Sequence, residues 1–347
     1  MSTLPFRVIA ATILASACWP LQLGAAPDTS KAVGFQEIAI HPGQLNLLGV
    51  NFLRPLLASG AIDNIATTVL TDNDANFTAK LAGHSNLWVE ISNGPGSGAS
   101  SRIASFTNST ITTEEDLAGF ATNQATYQIR EAHTVSTVFG IDNNIARNTD
   151  PSSNEVGLLP GNVSTADIIW IPTSGGFIKV YYAVTAPPFT TAGWKNTAAG
   201  NADASNTPIY HTEAIFVERR GSTSLNLKSA GSVKTGPAIL GITTGMNFLN
   251  RVFPFGVSLQ DSGLGDYLTH GNASTADIVW MPNGSGNYDK YYYALPAPPF
   301  TTAGWKSSNT GNLDKGGAIL TTGFILERKG GAANVLLISK LPGEDSE

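Results

Sequence analysis

Cysteine is almost missing from this chain. Cys18 is the only one in 347 residues, and it lies within a leader-like N-terminus. A chain cut beyond it has no disulfide, no thiolate nucleophile and no cysteine metal site. Charge is scarce too. Charged residues make up 13% of the chain, about half the usual share. The net charge of −6 supplies no basic face, so nucleic acid is excluded as a partner. The five histidines are scattered and fall at no repeated position. No His-Glu-x-x-His, Gly-x-Ser-x-Gly or phosphate-loop pattern occurs. No stretch after residue 30 keeps a 3.6-residue apolar period for three turns.

What is present begins with a leader. Arg7 precedes an apolar run at residues 8–17 that is too short to span a bilayer. Residues 1–26 read as a signal peptide ending in Gly24-Ala25-Ala26. Leu14-Ala15-Ser16-Ala17-Cys18 also approximates a lipobox, with the leucine one place early. Acylation at Cys18 would tether the protein to a membrane without a spanning helix. The expected location is secreted or cell-surface. Abundant Gly, Pro, Ser, Thr and Asn fit an extracellular β-protein with polar, uncharged loops, and the lack of bridges leans bacterial.

The main feature is a repeat. Residues 161–195 and 271–306 match closely, and APPFTTAGWK is identical at 186–195 and 297–306. Each copy is followed by an echo, IFVERRG at 215–221 and FILERKG at 324–330. A spacing of about 110 residues is domain-sized, not a solenoid rung. Short β-branched and aromatic runs recur between Gly, Asn, Asp and Pro. They include residues 87–92, 126–130, 167–171, 179–184, 214–218, 277–281 and 290–295. Residues 87–92 and 101–105 read as a hairpin around a Gly-rich turn. Residues 113–122, with Glu114, Glu115 and Asp116 in the first turn, are the one helical candidate.

The sequence thus predicts an all-β fold. A β-rich region at 31–130 precedes two tandem antiparallel sandwich-like or barrel-like units, 131–235 and 236–347, joined by GSVKTGP at 231–237. Residues 134–140 and 247–259 are candidate entry strands. NFLRP at 51–55 echoes NFLNR at 247–251, so the first region can be read as a third, diverged or interrupted unit.

Three stretches resemble a family of secreted, repeat-containing bacterial proteins of verrucomicrobial type. They are WVEISNGPGSGASSRIAS at 88–105, YQIREAHTVSTVFG at 127–140 and the repeated Ala-Asp-Ile, Tyr-Tyr, Gly-Trp-Lys and Glu-Arg block. The resemblance implies export from a bacterium. It brings no activity, cofactor or catalytic residue.

Duplicated aromatics are the first candidate site. Trp194, Trp305, Tyr182 and Tyr292 could stack on sugars, since an aromatic face buries a pyranose's C–H face. The competing reading puts them in the core. Asp167 and Asp277, each after Ser-Thr-Ala, could contact a ligand but fit turn caps better. Trp170 and Trp280 sit in apolar runs and read as core. Glu218-Arg219 and Glu327-Arg328 read as solvated strand ends. Asp72-Asn73-Asp74-Ala75-Asn76 alternates oxygen ligands as calcium loops do, but Phe77 replaces the central glycine and Gly83 the bidentate glutamate. No metal, cofactor or catalytic set is therefore called for. The leading expectation is a non-catalytic structural or adhesive protein acting through its duplicated surface, with self-association or an extracellular glycan as partner. A carbohydrate-binding protein is the alternative. A secreted hydrolase is third, since paired carboxylates can lie far apart in sequence.

Overall fold

The computed structural model describes residues 32–145, 157–188, 190–200, 202–311 and 313–338. The leader, its cut site and Cys18 lie outside the described residues. Strand holds 46% of the chain and helix 4%, so the protein is all-β. Among the described residues no sheet closes into a barrel, and no helix is long and apolar enough to cross a membrane.

The chain starts with β1 (Val33–Ile40), β2 (Leu45–Gly49) and β3 (Phe52–Leu53). It then builds a separate body from β4 (Leu56–Ala61), β5 (Asn64–Ala66), β6 (Val69–Thr71), α1 (Phe77–Lys80), β7 (Leu87–Asn93), β8 (Ser100–Phe106), β9 (Thr110–Thr113) and β10 (Thr126–Glu131). Next come β11 (His133–Thr134), α2 (Val135–Phe139), β12 (Ile168–Thr173), β13 (Gly176–Ala183), β14 (Gly193–Asn196), β15 (Pro208–Ile209), β16 (Ala214–Glu218) and β17 (Leu225–Val233). The last stretch holds β18 (Ala238–Ile242), β19 (Gly245–Asn250), β20 (Ile278–Pro282), β21 (Tyr288–Ala294), β22 (Gly304–Ser307), β23 (Gly323–Arg328) and β24 (Ala333–Leu337). All pairings between these strands are antiparallel.

Two five-stranded sheets share one strand order. The first runs β14-β13-β12-β16-β2, and the second β22-β21-β20-β23-β19. Their registers agree. Trp170 faces Lys179 and Phe216, while Trp280 faces Lys290 and Ile325. Tyr182 faces Trp194, and Tyr293 faces Trp305. Each sheet covers its inner face with a β-ribbon, β1 with β17 in the first module and β18 with β24 in the second.

The boundary expected at residue 130 cuts across this fold. β2 pairs with β16 and β1 with β17, so residues 33–53 complete the first module from far upstream. β4 to β10 form an insertion with its own seven-stranded sheet and core. The internal echo also sits elsewhere than expected. Asn46 pairs with Val217 as Asn247 pairs with Leu326, and each asparagine Nδ2 donates to the facing carbonyl at 3.2 and 3.1 Å. The counterpart of Asn247 is thus Asn46, five places before Asn51. Residues 134–140 are not an entry strand. Thr134 and Thr137 form a reciprocal capping box that starts α2.

Residues 113–122 do not form the expected helix. Thr113 ends β9, and its hydroxyl donates to the carbonyls of Thr68 and Glu115. Asp116 Oδ1 accepts from Ala118 N at 2.8 Å, and only one turn forms, at Leu117–Ala121. Local side-chain bonds outcompete the helix where no apolar stripe holds it down. The 87–92/101–105 hairpin does form, as β7 with β8. Leu87, Val89 and Ile91 enter the inserted core. Trp88 and Glu90, on the opposite face, are buried too, because that face packs on the rest of the molecule.

The two modules pack sheet against sheet. Leu47, Ala214 and Phe216 of the first meet Ile325 of the second, edged by Phe248 and Tyr288. Phe248 lies 5.2 Å from both Phe177 and Phe216, ring centre to ring centre. Glycine permits this approach at two places. A Cβ on Gly49 would stand 2.1 Å from Asn250 Oδ1, and one on Gly323 would stand 2.9 Å from the Leu48 carbonyl carbon. Asn250, fully buried, bridges the modules by donating Nδ2 to the carbonyls of Val50 and His211.

Candidate functional site

The expected aromatic platforms are core residues. Trp194 and Trp305 are each 1% exposed, so neither offers a ring face to a ligand. Alternation along β14 and β22 turns them inward. Trp194 donates Nε1 to the Gly140 carbonyl at 2.8 Å and meets the edge of Tyr182. Tyr293 meets Trp305 in the same way, with centroids 5.7 Å apart. The counterpart of Tyr182 is therefore Tyr293. Half-buried Tyr292 stands instead where Tyr181 stands in the first module. Three consecutive tyrosines in the second copy hide this one-place offset in the sequence.

Trp170 and Trp280, read as core, are only half-buried. Each indole donates Nε1 to a glutamate, Glu218 at 3.2 Å and Glu327 at 3.1 Å. A lysine ammonium, Lys179 or Lys290, lies 3.7 Å above each ring. These contacts occupy the exposed face of each ring with a cation.

Asp167 and Asp277 are buried anchors, and Arg219 and Arg328 are not solvated ends. Each aspartate forms an ion pair with the arginine of the Glu-Arg-x-Gly echo. Asp167 also accepts from the backbone N–H groups of Leu159, Arg220 and Gly221. Asp277 accepts from Thr269 and Lys329. Burial alone would raise the Asp277 carboxyl. The N–H groups of Lys329 and Thr269 and the Arg328 guanidinium hold it below the ordinary carboxylate value. The echo's glycine has a steric purpose. A Cβ on Gly221 would stand 2.4 Å from the Arg219 guanidinium carbon, and one on Gly330 3.1 Å from that of Arg328, so glycine leaves room for each arginine to fold back.

The acidic loop at 72–76 is closed by its own hydrogen bonds. Asp72 accepts from the Tyr127 hydroxyl at 2.5 Å and from Asp74 N, and Asp63 accepts from Asn73. Among the described residues no group of three or more His, Cys, Asp or Glu could hold a metal ion.

Two of the solvent-open features among the described residues gather side chains suited to a ligand. The first is the loop that leads into the identical segment of each module. Val184 is 49% exposed, Leu295 54% and Phe300 81%; Phe189 lies outside the described residues. The backbones of Ala186 and Thr190 exchange two hydrogen bonds, as do those of Ala297 and Thr301. Both Pro-Pro bonds, Pro187-Pro188 and Pro298-Pro299, are cis. Lys195 donates to Thr191 and Lys306 to Thr302. The loops are thus preformed and alike. A hollow of about 270 Å³ lies beside the first, lined by Pro187, Pro188, Thr190 and Lys195.

The second is a cleft where the inserted sheet and both modules meet, with a volume of about 600 Å³. Arg102 stands in it, 2.5 Å from Glu213 and 3.9 Å from Glu114, with its guanidinium 4.0 Å over the Tyr210 ring. Burial raises the Glu213 carboxyl, and Arg102 opposes this. His211 stacks on Trp88 at 3.8 Å and is pushed down to about 3 by burial, with Arg130 and His133 adding to it, so it stays neutral. Sequence reading missed these residues because they come from three separate stretches and none lies in the repeat.

No family model, curated protein or solved structure matches the chain.

Proposed function

We propose that this is a non-catalytic, exported surface protein of structural or adhesive type, which grips an extracellular glycan through two copies of one loop. One observation carries the reading. The apolar faces of the duplicated sheets cover each other inside the molecule, and the identical segment leaves its Ala-Pro-Pro stretch exposed on a preformed loop in each module, two places after an exposed aliphatic side chain, Val184 or Leu295. Nothing in the core explains why the exposed Ala-Pro-Pro stretch, residues 186–188 and 297–299, should be repeated residue for residue. The exposed prolines of both loops and the Phe300 ring of the second fit the C–H face of a sugar, and the threonines beside them fit its hydroxyls. The hollow at the first loop is smaller than a closed ligand pocket, which spans about 300–1,000 Å³. That suits grip on a polymer surface. Two such sites on one chain raise the apparent affinity by about 10²–10⁴-fold over one. The apolar run after Arg7 and the verrucomicrobial resemblance support export.

A second reading draws on the three-way cleft, whose volume lies within the range of ligand pockets. Arg102 between Glu213 and Glu114, above Tyr210, suits a saccharide bound by hydroxyl contacts and stacking.

Retention of the mature protein on insoluble cell-wall glycans and polysaccharides tests both. Val184→Ser in the first loop, or Leu295→Ser with Phe300→Ser in the second, is expected to cut apparent affinity by about 10²–10⁴-fold. All three together should abolish it. Retention unchanged by the triple variant but lost with Glu213→Gln would move the site to the cleft. Self-association in sedimentation velocity, abolished by the triple variant, would make a second copy the partner.

A further inference from the structure

Lys234 and Glu90 meet inside the molecule, in contact, with side chains 3% and 7% exposed. Lys234 directly follows β17, in the stretch expected to be a free linker. Glu90 lies in the middle of β7, between its ladder partners Ser100 and Gln128. Both backbones are fixed beside the pair. Ile239 N donates to the Gly98 carbonyl at 2.9 Å, and a Cβ on Gly98 (φ +94) would stand 2.6 Å from the Pro237 carbonyl oxygen. The segment after Lys234 is thus pinned to the β7–β8 hairpin.

A buried ion pair is costly, because each ion loses hydration that attraction only partly returns. Burial pushes the Lys234 ammonium down to about 7, towards the neutral amine. A proton passed from Nζ to the carboxylate leaves an amine against a carboxylic acid, the two precursors of an amide. Groups held in contact by a fixed backbone react with effective concentrations of about 10⁵–10⁸ M.

We propose that Lys234 and Glu90 condense into an intramolecular amide cross-link. Lys234 Nζ attacks Glu90 Cδ. The Nζ–Cδ bond forms and a Cδ–Oε bond breaks. The departing hydroxyl takes one proton from the amine and leaves as water. No oxidant, cofactor or cysteine takes part. The bond removes both charges from the interior and ties the inserted sheet to the junction of the two modules.

Intact mass spectrometry of the denatured full chain, followed by peptide sequencing of a digest, tests this. The expected mass is one water below that of the sequence from its observed N-terminus, and a branched peptide joins Glu90 to Lys234. Lys234→Arg and Glu90→Ala should each restore the full mass and yield only linear peptides. A wild-type chain that is folded before analysis, shows its full mass and gives separate linear Glu90 and Lys234 peptides would overturn the proposal. So would a water loss that maps elsewhere.

Discussion

Trp194→Ala is expected to destabilise the protein by about 3–5 kcal/mol, the range for truncating a fully buried tryptophan. Three losses add up. The ring leaves a cavity beside Phe139, whose ring centre lies 6.0 Å away. Tyr182 loses its edge-on partner at 5.1 Å. The Gly140 carbonyl loses its donor inside the core. Trp305→Ala should cost a similar amount, since it is equally buried and meets Tyr293 at the same angle, 80°. Trp170→Ala should cost only about 1–2 kcal/mol, as for partly exposed positions. Urea unfolding of the three variants checks the order. Equal losses for Trp170→Ala and Trp194→Ala would contradict the assignment of Trp194 to the core.

Asp167→Ala should cost about 3–5 kcal/mol, the range for breaking a buried ion pair by removing one partner. Arg219, whose side chain is 5% exposed, would keep its charge with no carboxylate to meet it, and three backbone donors would lose their acceptor. Asp277→Ala should cost less, because Arg328 is 12% exposed and reaches water more easily. The Asp277 carboxyl also has a pH signature. Its folded value lies below the ordinary one of about 3.9, so it binds fewer protons folded than unfolded. Its contribution is therefore complete above that value and is lost as pH falls through the depressed folded value. Asp277→Ala should flatten that acid limb in a pH series of urea melts. A loss below about 1 kcal/mol for Asp167→Ala, typical of exposed pairs, would place Arg219 in solvent.

Much of this was legible in the sequence. The alternation of Leu87, Val89 and Ile91 gave one core face, and the turn after them gave the hairpin. The repeat marked every residue of the aspartate–arginine anchor. Its members were missed as partners because Ser-Thr-Ala-Asp and Glu-Arg-x-Gly lie about 50 residues apart, and only the sheet brings them together. Period-two reasoning needs a known register, which three consecutive tyrosines obscured. The split of the first module was hidden for a similar reason. Pairing β2 with β16 spans more than 160 residues, and the surviving signal, Asn46 against Asn247, is a single polar side chain in an apolar strand. The cleft left no local trace, because its residues lie on loops and faces defined by how three bodies meet.

Native-state hydrogen exchange tests the split of the first module most directly. If β2 belongs with β16, amides of residues 47–49 should exchange as slowly as those of residues 215–217, and the two strands should open together as denaturant is added. β2 exchanging with the inserted sheet, while β16 stays protected, would contradict a first module assembled from both sides of the insertion.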